Sequence, residues 1–351
     1  MRMIDKDFCL SSYIAYRYIC KPDVDFYEGM HHELFTPVAM SERIPVGTAQ
    51  EIDQMIQRQF DALYAKYESI GILLSGGMDS AILAAYLRKG SHAYTFTAQG
   101  TEVFNADEQR ARHYCEKFGL VHHFVDISMD DYRQLTPTVM KAKCAPVHSI
   151  EPQIYKAAMA AKRDGVELMI VGESSDLIFG GMDQLLSKDW LFDDFVRRYT
   201  FLDPQMVLTH PVDVSGLFEK YRRGEHIDFM TFMDEVFSIE SSSSYLNAFG
   251  VAGMPYYDPY ANLVMRDELD LERVRSGEPK YLIRNLYAIK YPEVPIPDKI
   301  PMPRPVDKVF KEWGGPQREE FRNDIPMQQL TGNQKWQLWC AEQFLQMNEP
   351  K

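Results

Sequence analysis

Cysteine is scarce in this chain and poorly spaced: five in 351 residues (Cys9, Cys20, Cys115, Cys144 and Cys340), with no CxxC pair. That excludes a zinc ribbon and a disulfide framework, and predicts reduced, mostly buried thiols in a cytoplasmic protein. Long apolar runs are also missing, so no segment reaches the roughly 20 residues that a membrane helix needs. The N-terminus meets an acid at Asp5, before any apolar run long enough for a signal peptide. Positive charge is in deficit: 38 Lys and Arg against 51 Asp and Glu give a net charge of −13. A nucleic-acid partner would ordinarily show as a basic stripe, which this balance argues against. Internal repeats are absent. What remains is a 45% hydrophobic chain, able to bury a large core in one big domain or two smaller ones.

The most informative stretch is Ile70-Gly71-Ile72-Leu73-Leu74-Ser75-Gly76-Gly77-Met78-Asp79-Ser80, an apolar strand entering a glycine-rich turn. A helix pattern follows from residue 80 to Gly90. Free backbone N–H groups between a strand and a helix start can cradle an anion, with Ser75 and Ser80 as further donors. No lysine lies inside the turn, so the GxxxxGK[ST] phosphate loop is a poor match. Asp79 beside an anion makes sense only if a divalent cation joins them, which predicts a site for a metal-bound polyphosphate.

The surrounding pattern alternates strand and helix. A helix starts at Thr48, where Thr48-Ala49-Gln50-Glu51 has the capping-box form, and Ile52, Ile56, Phe60, Leu63 and Tyr67 follow at helical spacing. Strands are predicted at 70–74, 93–97, 121–125 and 168–171. Helices are predicted at 80–89, at 107–118 (ending at Gly119) and from about Pro152 to Arg163. The run Leu168-Met169-Ile170-Val171 suits the centre of a sheet covered on both faces. The fold class is therefore α/β, a doubly wound, mainly parallel sheet with a helical C-terminal part. Residues 1–47 form a connector-like segment of strands, turns and short helical pieces, 48–200 the α/β core, and 201–351 a mainly helical part completing the site. Trp190 to Tyr199, Phe229 to Ile239 and Gly332 to Gln346 read as helices. Ser241 to Ser244 is too short a run for a linker, and six prolines between Pro292 and Pro305 predict a stiff extended loop around Lys299.

Ligands of such sheets collect beyond the carboxyl ends of the strands, so the loops after 70–74 and 168–171 are candidates to face one another. The second loop reads Gly172-Glu173-Ser174-Ser175-Asp176-Leu177-Ile178-Phe179-Gly180-Gly181-Met182, and Asp176 could bind the same divalent ion as Asp79.

Together the two loops resemble the ATP-pyrophosphatase synthetase domain of the asparagine synthetase family, which also includes β-lactam-forming synthetases. That family carries SGGxDS after one strand and a GEGSDE-type turn with FGGY after a later one. The likeness continues through Tyr13 to Met40, Glu108, Ala111, Gly119-Leu120-Val121-His122-His123, Pro255-Tyr256-Tyr257-Asp258 and Lys280-Tyr281-Leu282-Ile283-Arg284, similar to the family's KxxLR. It implies an adenine nucleotide alpha hydrolase-like fold and an enzyme using ATP and Mg²⁺. Such enzymes adenylate a small carboxylic acid, release pyrophosphate, and form an amide with ammonia or an amine. By this resemblance ATP and pyrophosphate fall to Leu74, Ser75, Gly76, Gly77, Asp79, Ser80, Thr97 and Gly172. The metal falls to Asp79 and Asp176, catalysis to Lys299, Lys280 and Glu173, and substrate orientation to Asp258. Glu173 would accept a proton from the attacking amine. His122 and His123 read as strand-end packing or hydrogen-bonding residues rather than metal ligands.

Some positions depart from the family. An N-terminal cysteine nucleophile is absent, so ammonia would be free or delivered by a separate glutaminase. Leu177 replaces an acid and Met182 a tyrosine, as in the lactam-forming branch, whereas Glu173 follows the asparagine synthetase branch. Pro297-Asp298 stands where an arginine is usual. The alternatives are a tRNA-modifying ATP pyrophosphatase, which the acidic balance and scattered cysteines disfavour, and a degenerate nucleotide-binding regulator. The pattern names neither the acid nor an oligomeric state.

Overall fold

A computed structural model describes residues 2–97, 102–297 and 306–348, with the backbone alone for 102–105, 183 and 307. Lys299 therefore lies outside the described residues. The chain opens with α1 (Lys6–Tyr16), whose residues from Phe8 to Tyr16 are all buried. The leading segment thus holds one internal helix of eleven residues among the short strands and turns expected there (Met3–Ile4, Val24–Asp25, Met40–Glu42 and Ile44–Val46). Its even spread of Phe, Leu, Tyr and Ile, with small Ser11, Ser12 and Ala15 between them, leaves no polar face for water.

The main body follows the alternation read from the sequence. Helix α2 (Ala49–Tyr64) starts at the reciprocal Thr48–Glu51 capping box. After it come β1 (Ile70–Leu73), α3 (Met78–Ala84), β2 (His92–Thr97), α4 (Glu102–Phe118) and β3 (Val121–Asp126). Next are α5 (Met129–Lys143), α6 (Glu151–Arg163) and β4 (Leu168–Ile170). Helix α3 is shorter than the predicted 80–89, because its hydrogen bonding tightens to i→i−3 from Ala85 to Leu87. Helix α5 was not predicted: Pro137 in its interior masks the pattern, although Ser128 and Asp131 form a capping box at its start.

Residues 229–239 are not one α-helix. A short helix (Phe229–Phe232) passes through a π-turn (Met233–Phe237) into α7 (Ser238–Ala252), which contains all four consecutive serines. The fifth strand, β5 (Tyr256–Tyr257), comes from the part of the chain read as helical. Helices α8 (Tyr281–Lys290) and α9 (Gly332–Met347) follow.

The five strands of the main sheet are all parallel, in the order β3-β2-β1-β4-β5. Side chains alternate between two cores. Ile70, Ile72, Leu168 and Ile170 face one, with α2, α3 and α8; Leu73, Tyr94, Met169 and Val171 face the other, with α1, α6 and α7. A sheet buried on both faces matches the near-continuous apolar runs of β1 and β4. The strand order reverses between β1 and β4, and in such sheets the crevice outside the carboxyl ends opens at that reversal. No helix among the described residues is long and apolar enough to cross a membrane.

Candidate active site

The crevice at that reversal is a cavity of about 570 Å³, lined by both glycine-bearing turns and by α7 and α8. The first turn leaves β1 through Leu74, whose carbonyl accepts from the Thr95 hydroxyl at 2.8 Å. His122 Nε2 lies 2.8 Å from that hydroxyl, and burial lowers the His122 pKa to about 4. His122 is thus a neutral hydrogen-bonding residue behind the turn. His123 pairs with His92 (2.8 Å) on the face of the sheet towards α6.

Gly76 has φ +78, and a Cβ there would collide with the Asp107 carbonyl, so both backbone conformation and space require glycine. The two serines are turned towards each other. Ser75 Oγ lies 3.0 Å from Ser80 Oγ, which also accepts the Ser75 N–H, while Ser75 Oγ accepts the Gly77 N–H. Their hydroxyls knit the turn together in this state. The backbone N–H groups of Gly76, Met78 and Asp79 make no hydrogen bond among the described residues. These are the donors without a partner that an anion could take, although Gly76 itself is buried and is not among the described lining residues, whereas Met78 and Asp79 are.

The second turn follows β4. Its Ser175, at the start of a one-turn helix, donates to Asp79 Oδ1 at 2.7 Å and ties the two turns together. Asp79 and Asp176 converge on one cation, the Lys280 ammonium, which contacts Asp79 Oδ1 and lies 2.8 Å from Asp176 Oδ1. Lys280 is only 5% exposed and starts α8 with φ +56, an uncommon backbone conformation for a residue with a long side chain. Burial alone would lower its pKa, but the two carboxylates outweigh it and hold the ammonium above its ordinary value. Gly181 is required by space, since a Cβ would strike Asp176 Oδ1 and press on the Lys280 side chain.

Glu173 lines the cavity one step deeper. Loss of water raises its pKa, opposed by a hydrogen bond donated by Ser241 of α7. Asp258 does not line the cavity. Its carboxylate accepts the Ser174 N–H (2.7 Å) and the Tyr260 N–H (3.0 Å), so it orients the second turn. Burial pushes its pKa up to about 7 in spite of those two donors. Thr97 ends β2 and is not among the described lining residues, whereas Leu74, Gly77 and Gly172 are.

Several lining residues carried no signal in the sequence reading. Ser241, Ser242 and Tyr245 sit on the face of α7 turned to the cavity. Arg17, His148 and Glu240 also line it, as does Arg284, one turn along α8 from Lys280. The spacing of Ser238, Ser241, Ser242 and Tyr245 along a helix was the readable clue, hidden because the serine run resembles a loop.

A parallel doubly wound sheet with a glycine-bearing, acid-bearing turn at its point of reversal defines a class of nucleotide-handling α/β proteins. The family model described as asparagine synthase matches residues 51–249, so the chain belongs to the asparagine synthase family. Among curated relatives, asparagine synthetase [glutamine-hydrolyzing] 2 of Bacillus subtilis (strain 168) is 28% identical over 127 residues, 34% of this chain and 17% of that protein. Asparagine synthetase B [glutamine-hydrolyzing] of Escherichia coli (strain K12) is 21% identical over 193 residues, 49% of this chain and 34% of that protein. The chain thus aligns with about a third of one relative and about a sixth of the other. Among solved structures, NMN synthetase from Francisella tularensis is 13% identical, with 73% of this chain and all of that one covered, at a TM-score of 0.29. Glutamine-dependent NAD⁺ synthetase from Acinetobacter baumannii, solved with ADP, is 16% identical over 73% of this chain and 47% of that one, also at 0.29. At such scores these structures add nothing to the strand order already described.

Proposed function

We propose that this chain is an ATP-dependent ligase that activates a small carboxylic acid as its adenylate and then joins the acyl group to ammonia or an amine. The observation that carries the reading is the convergence of Asp79 and Asp176, from two separate strand-end turns, on one cation beside open backbone N–H groups. A point already suited to positive charge between two carboxylates fits a divalent ion. Asp79 and Asp176 would hold Mg²⁺, which would neutralise charge on the departing pyrophosphate.

The chain's own residues then have distinct tasks. The N–H groups of Gly76, Met78 and Asp79 would receive the phosphate oxygens, and Leu74, Gly77 and Gly172 would line the nucleotide's path. Lys280, released from between the aspartates when the metal enters, would turn its charge to the phosphates. A preorganised cation of this kind commonly contributes about 3 kcal/mol to a barrier. An acid oxygen attacks the α-phosphorus, the bond to the β-phosphate breaks, and pyrophosphate leaves. The nitrogen nucleophile then attacks the acyl carbon, the bond to AMP breaks, and Glu173 accepts the proton from nitrogen. Burial, which raises its pKa, makes Glu173 a stronger base than an ordinary exposed glutamate. Lys299 remains a candidate for the α-phosphate from the sequence pattern alone, and Ser75 and Ser80 act by holding the turn in shape.

The test is acid-dependent exchange of labelled pyrophosphate into ATP across a panel of small carboxylic acids. One or more acids should support exchange, and Asp79→Asn should abolish it without altering the circular dichroism spectrum. Tight ATP binding with no exchange for any acid would instead favour a nucleotide-binding regulator.

A further inference from the structure

The peptide joining Gly76 to Gly77 is a part of the first turn whose orientation sterics do not settle. Gly76 needs to be glycine, for its φ of +78 and for the space beside the Asp107 carbonyl. Gly77 does not. Its φ is −80, ordinary for any residue, and a Cβ there would meet only Ser75 Oγ, at 3.3 Å. With no side chain on either flank, the connecting peptide is free to turn over. A rotation of about 180° takes φ of residue 77 from −80 to about +100, a region that glycine enters freely. The two orientations are opposite for an anion. As found, the Gly77 N–H points to Ser75 Oγ at 3.2 Å, and both residues line the cavity. Turned over, the Gly76 carbonyl oxygen would stand where that N–H is, with its negative end towards the cavity.

Arg110 of α4 holds the first orientation. Its Nε donates to the Gly76 carbonyl at 3.1 Å, while Nη2 pairs with the carboxylate of Asp107, one turn earlier on the helix. The Asp107 side chain is buried and lines the cavity, whereas Arg110 is not among the described lining residues. The guanidinium therefore reaches the turn from behind. It is mostly buried, and a charged donor makes a stronger hydrogen bond than a neutral one. The C=O and N–H of a planar trans peptide point in opposite directions, so pinning the oxygen to Arg110 turns the N–H to Ser75 Oγ. The peptide is clamped from both sides, by a cation behind it and a hydroxyl in front.

We propose that Arg110 is a positioning residue for the polyphosphate: through the Gly76 carbonyl it keeps the Gly76–Gly77 peptide turned with its oxygen away from the cavity, so that the turn offers donors and no acceptor. This rests on the reading of the turn as the ATP site. Arg110 acts through the backbone and touches no reacting atom. Without it the flipped turn competes with the binding-competent one, and apparent affinity falls with the fraction that stays competent. Loss of a hydrogen bond from a charged donor shifts such a balance about tenfold or more.

The experiment combines calorimetric titration of the full chain, in Mg²⁺, with a non-hydrolysable ATP analogue and amide hydrogen exchange on protein labelled with ¹⁵N-glycine. The Gly77 signal is assigned as the one that Gly77→Ala removes. Arg110→Met keeps bulk and removes every donor; it should weaken the analogue about tenfold and speed exchange at the Gly77 amide. Adding Gly77→Ala to Arg110→Met should win back about threefold or more, because alanine accepts φ −80 and resists φ near +100. A merely structural or purely electrostatic role for Arg110 predicts no such relief. Unchanged binding and exchange in Arg110→Met, or a loss that Gly77→Ala fails to relieve, would overturn the proposal. Should Arg110→Met fail to fold, Ser75→Ala frees the same peptide from its other side, and Gly77→Ala should relieve that loss too; no relief there overturns the proposal equally. A parent protein that does not bind the analogue would count against the ATP reading. Faster Gly77 exchange in Arg110→Met would then still show the clamp, and unchanged exchange would remove it as well.

Discussion

Lys280 is the residue on which the two acidic turns depend while no metal is bound. Its ammonium is the shared partner of Asp79 and Asp176, and removing one partner from a buried ion cluster leaves like charges facing each other. Lys280→Met should therefore lose about 3 kcal/mol of stability, read as a fall in melting temperature. Millimolar Mg²⁺ should restore more of that loss in the variant than it adds to the parent, because the ion then meets no competitor. Equal shifts in both proteins would show that the metal binds elsewhere. Glu173 supplies a pH signature. Its pKa is raised, so its basic form is lost as pH falls through a value above the ordinary glutamate range. The rate should fall on that acid side, and Glu173→Gln should flatten the limb and slow turnover about a hundredfold. Motif residues such as Asp79 and Asp176 were legible in the sequence because strand-end turns announce themselves through glycine and small residues. Arg17 and Glu240 were not, since a lone arginine and glutamate reveal their partnership only once two distant helices are packed together.

At the level of elements, the turns are rigid because their neighbours leave no alternative. Gly76→Ala should cost about 2 kcal/mol or more, combining left-handed strain with contact against the Asp107 carbonyl, and should weaken nucleotide binding in parallel. Thr48→Ala, which removes a capping box far from the cavity, should cost about 1 kcal/mol and leave binding unchanged; urea denaturation of both variants separates the two effects. Strands β1 to β4 were readable from apolar runs bounded by turn signals. Helix α5 was missed because of Pro137, and β5 because two residues bordered by Pro255 and Asp258 make no pattern until β4 offers its edge. The π-turn had no sequence signal at all, since the same residues suit an α-helix. Asp258 shows how a motif residue can matter through a neighbour: it holds the Ser174 backbone.

Across the whole molecule, the cavity is a joint product of distant chain segments. The core around α1 also contains Phe344 and Trp336 of α9, with Phe26 and Phe344 rings 4.8 Å apart and Gln337 Nε2 donating to the Ile14 carbonyl at 3.2 Å. Deleting residues 1–20 should therefore yield aggregated or partly folded material rather than a working core of the family segment, judged by size-exclusion chromatography and near-ultraviolet circular dichroism. A folded, nucleotide-binding product would mean that the first helix is an accessory. Short apolar runs broken by Pro22, Pro37 and Pro45, and the resemblance to the family's connecting segment, read as a connector; that every side of the helix is apolar is explained by α9 together with Val147, Tyr199 and Phe218 packed around it.

This pairing of first and last helices has a consequence for synthesis. Helix α1 leaves the ribosome as a largely apolar rod whose cover, begun by residues such as Val147, Tyr199 and Phe218, is completed only by α9, more than three hundred residues later. At about 5–20 residues per second, it waits on the order of half a minute for its mate. Throughout that interval it is a natural client for holdase chaperones, and starving cells of them should reduce the yield of this protein long before it affects the stability of molecules already complete.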